Sequence, residues 1–361
     1  NTYCAIGDGG MLKIVNGVGT VWTEPPPSRF IELHYEKLWA FSQVFDLNGL
    51  RHTDTNSSTS WPTVAAPTGG NGGTMYVGRG YAYLPTGIKS AFGSLYLWTE
   101  GDLWILFGTD NTNFNLQRAH PGAGTLSHES IARMDNGMIW HDGLGDRILW
   151  LMGTEVVDIS DNIRPILSAI PAGLKPWTAG FFDGRNYIFS YCRAGQTTND
   201  RCQVFDTLLR RWHGPFEGNW VGFNAGLLGV DGKRYVGAGN NLGVRQILTG
   251  TDDVGVAIAV AWKSGAVNFR LPSYMKRIRR LWVRCSSTTA TLTISFYRDL
   301  ETSPVRSYNL TFTGLPTEVQ RTGVDADVRA DVLQIGIAES SGNPVVVNEI
   351  GCDGYLIRAL R

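Results

Sequence analysis

At 361 residues the chain is long enough for a large core and, on length alone, for two domains. Lys+Arg and Asp+Glu balance at 32 each, which argues against a protein that coats nucleic acid, and 18% charged residues is low for a globular chain. No apolar run is long enough to span a membrane, and the opening NTYCAIGDGG lacks the basic and apolar regions of a signal peptide, so neither feature is expected.

The 44 glycines and 12 tryptophans suit many tight turns between strands with aromatic faces. Residues 3–6, the Gly7-Asp8-Gly9-Gly10 turn and residues 11–15 read as a hairpin, with Val21-Trp22 beyond it. In a ring-shaped fold this hairpin supplies strands that close the circle. Strands at 30–34 and 37–42 flank Tyr35-Glu36, and 49–52 is a third. The glycine-rich stretch 63–80 reads as the least structured part, a linker or contact loop. It lacks the preceding strand and following Lys-Ser/Thr of a phosphate cradle. Residues 88–92, 93–98 and 103–107 form a second meander around the Glu100-Gly101-Asp102 turn, with a polar tail to Arg118.

The clearest unit runs from Ser127 to Ile163. Residues 129–134 lead into Asp135-Asn136-Gly137, 138–141 into Asp142-Gly143, 148–152 into Gly153, and 155–160 close the unit. Four short runs punctuated by such turns make an antiparallel meander. One such sheet cannot bury both its faces alone, so similar sheets should stand beside it. A helical turn or two fits within 163–172. Residues 178–182, 187–193 and 202–206 with Trp212 form a fourth meander, and 220–228, 234–238 and 244–248 a fifth. Starts near Phe30, Ile88, Glu129, Thr178 and Trp220 match blades of about 40–50 residues plus insertions. The expected fold is therefore all-β: a β-propeller over 1–252 with five blades, or six if 1–23 and 60–85 contribute. A stacked sandwich is the competing architecture.

Composition shifts at Thr251-Asp252-Asp253. Cleaner alternation at 254–262, 277–285, 290–297, 305–313, 332–338, 345–350 and 354–358 predicts a β-sandwich over 253–361, of jelly-roll or immunoglobulin-like size.

No residue set favours catalysis. The six histidines never form a close pair, and Ser127-His128-Glu129 on a strand would point to opposite faces. Asp135, Asp142, Asp146, Asp183 and Asp231 sit beside turn residues, where aspartate serves the backbone, and the Asp box of sialidases is absent. Trp39, Trp98, Trp104, Trp140 and Trp150 lie in strands and read as packing between blades, whereas Trp61 and Trp212 follow polar turns and read as exposed contacts. The run Lys276, Arg277, Arg279, Arg280 and Arg284 would place Arg277 and Arg279 on one strand face and the other three opposite. It reads as a charged edge strand, or as a contact with an acidic subunit or passing DNA. Five scattered cysteines suit free buried thiols, with Cys192 and Cys202 near enough in sequence to face one another across a hairpin. No cofactor or metal motif is present, and none is expected.

The pattern Ser127, Ser130-Ile131-Ala132, Asn136-Gly137, Asp142-Gly143 and Val157-Asp158-Ile159-Ser160-Asp161 resembles a blade in virion proteins of tailed bacteriophages. So do Trp262-Lys263-Ser264-Gly265, Pro272 with Lys276, and Phe296-Tyr297-Arg298-Asp299 in the C-terminal part. Those proteins are tail-tube, nozzle or tail-needle-region components built on propellers. The resemblance covers one blade and the last hundred or so residues, and rests mostly on turn spacing. It implies a non-enzymatic structural subunit in a homo-oligomeric, most simply six-fold, ring around the DNA conduit. Its partners would be copies of itself, neighbouring tail proteins and, transiently, passing DNA. Its place would be the virion, after assembly in the host cytoplasm. A glycan- or receptor-binding propeller and a propeller glycosidase are the alternative classes.

Overall fold

A computed structural model of the chain describes residues 2–5, 11–15, 18–21, 26–43, 46–57, 61, 72–217, 221–238, 243–247, 252–253, 256–257, 260–268, 274–287, 289–313, 319–339 and 345–359. The chain divides into two compact units, Asn1–Leu248 and Thr249–Arg361, and both are built from antiparallel strands.

Among the described residues the first unit holds six sheets in chain order, each a meander. Sheet A comprises Thr2–Ala5, Met11–Val15 and Val18–Val21, and sheet B comprises Ser28–His34, Lys37–Gln43, Asp46–His52 and Gly73–Tyr76. Sheet C is Pro85–Ala91, Ser94–Thr99, Asp102–Phe107 and Asn115–Pro121; sheet D is Ala132–Met134, Gly137–Asp142, Arg147–Met152 and Glu155–Asp158. Sheet E is Ala179–Phe182, Asn186–Tyr191, Arg201–Asp206 and Arg211–Phe216; sheet F is Phe223–Leu228, Arg234–Ala238 and Val244–Ile247. The first strands of successive sheets are neighbours: A beside B, B beside C, D beside E, and E beside F. The 3-10 turn His128–Ser130, which precedes sheet D, touches the first strand of sheet C and that of sheet E.

Strand alternation explains why the sheets stand side by side. In sheet D, Met138, Trp140, Leu149 and Leu151 join Tyr96, Trp98 and Leu103 of sheet C in one core. The intervening Ile139, Ile148 and Trp150 join Tyr187, Phe189 and Phe205 of sheet E in another. Side chains alternate across a strand, so a sheet with apolar residues at both parities must be covered on both faces. The same rule pairs Trp39, Phe41 and Leu50 with Ile88, Leu95 and Leu97 between sheets B and C, and Phe181 and Ile188 with Phe223 and Val236 between E and F. The helical turn expected within 163–172 is Arg164–Ser168, with Pro165 in its first turn and Leu167 buried against the core of sheets D and E.

Several sequence expectations shift. The expected strand 129–134 starts later, at Ala132, because Ser130 Oγ donates to the Ser127 carbonyl at 2.8 Å and closes a 3-10 turn instead. The turn read as Asp135-Asn136-Gly137 is confined to Asp135-Asn136: Gly137 already pairs with Met134 and Met152 as a strand residue. Glycine is needed there because a Cβ would strike the Leu151 carbonyl oxygen. Part of the stretch read as unstructured, Gly73–Tyr76, is the fourth strand of sheet B, while 62–71 lies outside the described residues. The polar tail after residue 107 includes a full strand, Asn115–Pro121.

In the second unit one sheet orders its strands Val260–Lys263, Leu333–Glu339, Thr289–Arg298 and Arg306–Thr313. A second places Tyr274–Ser287 between Val319–Ala330 and Val345–Ala359, and a third is the two-stranded pair Asp252–Asp253 and Val256–Ala257. Ile278, Leu281 and Val283 of the second sheet share a core with Leu292, Ile294 and Phe296 of the first. Two expectations are corrected here. Val319–Ala330 is a strand that the sequence does not announce, because its Gly and Asp residues read as turns. Residues 345–350 and 354–358 belong to one continuous strand. Gly351 lies beneath the Trp282 ring, which would collide with any Cβ, so it serves contact and not a break.

Trp140 is wholly buried, meets Trp98 edge to face at 5.6 Å, and donates its indole N–H to the Gly124 carbonyl at 3.0 Å. Trp140→Ala is expected to lower the unfolding free energy by about 3–5 kcal/mol in a urea titration. Trp177→Ala, at a side chain 65% exposed, should stay within about 0.5 kcal/mol of wild type.

Candidate functional site

The charge run lies on Tyr274–Ser287, the central strand of its sheet, so the edge-strand reading is corrected. A register shift between Ile278 and Arg280 changes the facing of the residues beyond it. Lys276 is buried with Ile278, Leu281 and Val283, while Arg279, Arg280 and Arg284 are exposed. The expectation that Lys276 shares a face with Arg280 and Arg284 is therefore overturned: the bulge at Arg279 resets the alternation. The buried Lys276 ammonium donates to the Asp331 carbonyl at 2.7 Å. Arg277 pairs with Asp327, Arg284 reaches Glu349 at 3.2 Å, and Arg280 stands in register with Asp325 on one side and Asp353 on the other. The outward face is thus a ladder of mixed charge. Lateral carboxylates weaken its field at the distance of a phosphate backbone.

Trp212 is half-buried against Phe205 and Tyr187, and its indole N–H donates to the Ile159 carbonyl at 2.6 Å. It fastens the last strand of sheet E to the segment after sheet D. Trp61 packs against Leu38 and Ala40. The reading of these two indoles as exposed contacts is corrected, because both spend their rings on the fold. Cys192 and Cys202 are free and buried.

The remaining sequence candidates serve the framework. His52 Nε2 bonds Asn111 at 2.9 Å, and His141 Nδ1 bonds Thr178 Oγ1 at 3.1 Å. Ser127 Oγ donates to the Thr178 carbonyl at 2.5 Å, so the local Ser-His-Glu string has no relay. Asp142 holds Arg147, Asp183 holds Arg234 of sheet F at 2.8 Å, and Asp231 accepts the Tyr235 hydroxyl at 2.8 Å. Among the described residues no group of three or more His, Cys, Asp or Glu is placed to hold a metal ion, and no helix is long and apolar enough to cross a membrane.

Sequence reasoning missed a cluster where sheets B, C and D begin. The first strands of these sheets carry one charged residue each within FIEL, GIKS and IARM: Glu32, Lys89 and Arg133. The 3-10 turn before sheet D adds His128 and Glu129. The His128 ring lies 4.9 Å from that of Phe30, and its Nδ1 faces the Ile88 N–H at 3.5 Å. Arg133 reaches the Ser90 carbonyl at 3.5 Å. Burial raises the Glu32 carboxyl above its ordinary range, opposed by Lys89, the Ser90 N–H and Arg133. Burial likewise raises Glu129, opposed by Lys89. Burial and the Lys89 ammonium together hold the His128 imidazole down at about 3. A charge inside each leading strand, Glu32, Lys89 or Arg133, was the available signal; it becomes informative only when neighbouring strands align.

No protein-family model matches the chain, and no curated protein does. Among solved structures, it is similar to an exo-β-1,3-galactanase from Phanerochaete chrysosporium in complex with β-1,3-galactotriose. Identity is 10% and the TM-score 0.34, with 92% of this chain and 98% of that one covered. The WD40 propeller domain of Doa1 matches at 10% identity and TM-score 0.33, over 66% of this chain and 86% of that one. A nidogen/laminin complex matches at 11% and 0.34, over 55% and 68%. Likenesses this slight carry no statement about activity.

Burial lowers His34 to about 4, and burial reinforced by Lys175 lowers His141 to about 3. With His128 these rings are neutral when folded, and each regains an ordinary value near 6.5 when unfolded. The unfolded chain therefore binds more protons below that value. The stability the rings contribute is full above about pH 6.5 and is lost as the pH falls toward 4 and 3. Glu32 and Glu129, raised when folded, oppose part of this fall. Urea midpoints followed by tryptophan fluorescence should drop between pH 7 and 4.5, with a shallower slope in His141→Gln.

Proposed function

We propose that the chain is a structural subunit of a bacteriophage tail, acting through its surfaces and not through catalysis. In this reading copies form a ring around the DNA conduit of the virion, beside neighbouring tail proteins. The finer architecture proposed with it is a propeller of five blades, sheets B to F, or six with sheet A, followed by a β-sandwich. The adjacency of leading strands and the two-sided cores support that arrangement.

The observation that carries the assembly reading is an apolar set on the hairpins of sheets E and F. Leu208 and Leu209 occupy the turn between Arg201–Asp206 and Arg211–Phe216, and Leu208 is 76% exposed. Leu228 and Val230 sit at the turn that opens sheet F, and both are exposed. Both turns adjoin the Asp183–Arg185 turn: Thr207 Oγ1 donates to the Arg185 carbonyl at 2.6 Å, and Arg234 reaches across to Asp183 at 2.8 Å. Tyr35 and Phe92, in the corresponding first hairpins of sheets B and C, are exposed as well. Large apolar side chains left in water on turns around one neighbouring turn support an interaction surface.

Light scattering with negative-stain imaging of the purified protein tests this reading. Closed rings are expected for wild type. Leu208→Glu combined with Val230→Glu should shift the mass toward monomer with an unchanged far-ultraviolet spectrum. A wild-type protein that stays monomeric up to tens of micromolar, alone and with tail fractions, would count against the reading.

A further inference from the structure

The second unit holds an open cavity of about 600 Å³, a size usual for small-molecule sites. It lies where the turn after Thr289–Arg298 meets the end of Val319–Ala330 and the start of Tyr274–Ser287. Met275 and Ala330 supply its apolar lining, and five charged side chains supply the rest. Three of the five are spent on the framework. Arg298 Nη2 donates to Glu301 Oε1 at 3.0 Å. Asp299 Oδ1 accepts the Asp331 and Val332 N–H groups, each at 2.9 Å. Lys276 holds the same segment by its bond to the Asp331 carbonyl at 2.7 Å. The backbone that carries Asp331 is therefore fixed through both its N–H and its C=O.

The other two charges are unspent. Asp331 Oδ1 is buried and has no hydrogen-bond partner. Among the described residues Arg329 makes no hydrogen bond or ion pair, and it stands in register with Arg277, whose guanidinium already holds Asp327. Arg329 and Asp331 line one cavity two residues apart, yet they do not pair within 4.0 Å. A carboxylate oxygen withdrawn from water needs a donor, and a guanidinium presents a planar fork that fits a carboxylate. The cavity thus asks for a cationic donor and a carboxylate together, beside an apolar wall. A lone anion would meet the carboxylates of Asp299, Glu301 and Asp331, and a metal ion would meet Arg298 and Arg329. A free α-amino acid carries ammonium, carboxylate and side chain on one carbon.

We propose that this cavity binds a free α-amino acid, with its ammonium on Asp331, its carboxylate on Arg329 and its side chain against Met275 and Ala330. The site is contained in the second unit and does not depend on assembly, so it goes beyond the structural role.

Calorimetric titration of the full chain at neutral pH with each proteinogenic L-amino acid tests this. Saturable binding of at least one, at millimolar concentration or below, is expected. Its N-acetyl derivative lacks the cation and its methyl ester lacks the anion, so each should bind about 10-fold or more weakly. Asp331→Asn should weaken the amino acid by about 10-fold and leave the N-acetyl derivative unchanged, and Arg329→Gln should do the same with the ester unchanged. Because neither side chain has a hydrogen bond among the described residues to lose, both variants should keep the wild-type urea midpoint. No binding by any amino acid, which would leave the cavity to water, overturns the proposal. So does equal binding of the blocked derivatives, or unchanged affinity in the variants. A lowered urea midpoint overturns it too, because it would assign both side chains to the framework.

Discussion

Trp98 and Trp140 meet edge to face between two consecutive sheets, both wholly buried. That contact stands for the constraint on which the first unit depends. A strand such as Gly137–Asp142 is buried along its whole length, so its sheet has no face to give to water. Burying large side chains of this kind on both parities contributes about 1.5–3 kcal/mol per residue, and the gain is realised only if another sheet stands on each side. Trp150 against Phe205 and Phe181 against Phe223 repeat the edge-to-face contact at the next two junctions, at 6.0 and 5.5 Å. The repeat is therefore one of packing and not of letters.

Apolar contact alone would let neighbouring sheets slide. Buried polar groups at the junctions remove that freedom. Tyr187 of sheet E donates its hydroxyl to the Ser130 carbonyl at 2.8 Å, and Thr125 Oγ1 donates to the His141 carbonyl at 2.8 Å. Asn199 donates to the Phe223 carbonyl of sheet F at 2.9 Å. Each bond is directional, and breaking one strands a buried donor or acceptor at about 1–3 kcal/mol. The histidines and turn aspartates that could have signalled catalysis are spent in the same way.

The hairpins of sheets E and F, by contrast, leave Leu208 and Val230 in water. Apolar side chains that stay exposed while the strands behind them are buried are the groups read as serving assembly.

The meander over residues 127–163 was legible because turn residues and strict alternation are local signals. Four of the strand-borne tryptophans proved to be wholly or almost wholly buried, as their alternating positions implied. Val319–Ala330 was illegible because its Asp and Gly residues look like turns until Ala326 and Val328 are seen to face a core shared with the opposite sheet. The bulge at Arg279 was equally hidden: one inserted residue moves Lys276 apart from Arg280 without altering composition or spacing. Trp212 comes after a polar turn, yet a carbonyl 53 residues earlier decided its place. By itself, then, the sequence determined strand content, turn positions and the need for two-sided cover, since these depend on side-chain parity and backbone preference. Only the tertiary structure decided which polar groups are consumed by the fold and which remain, because that depends on partners distant in sequence.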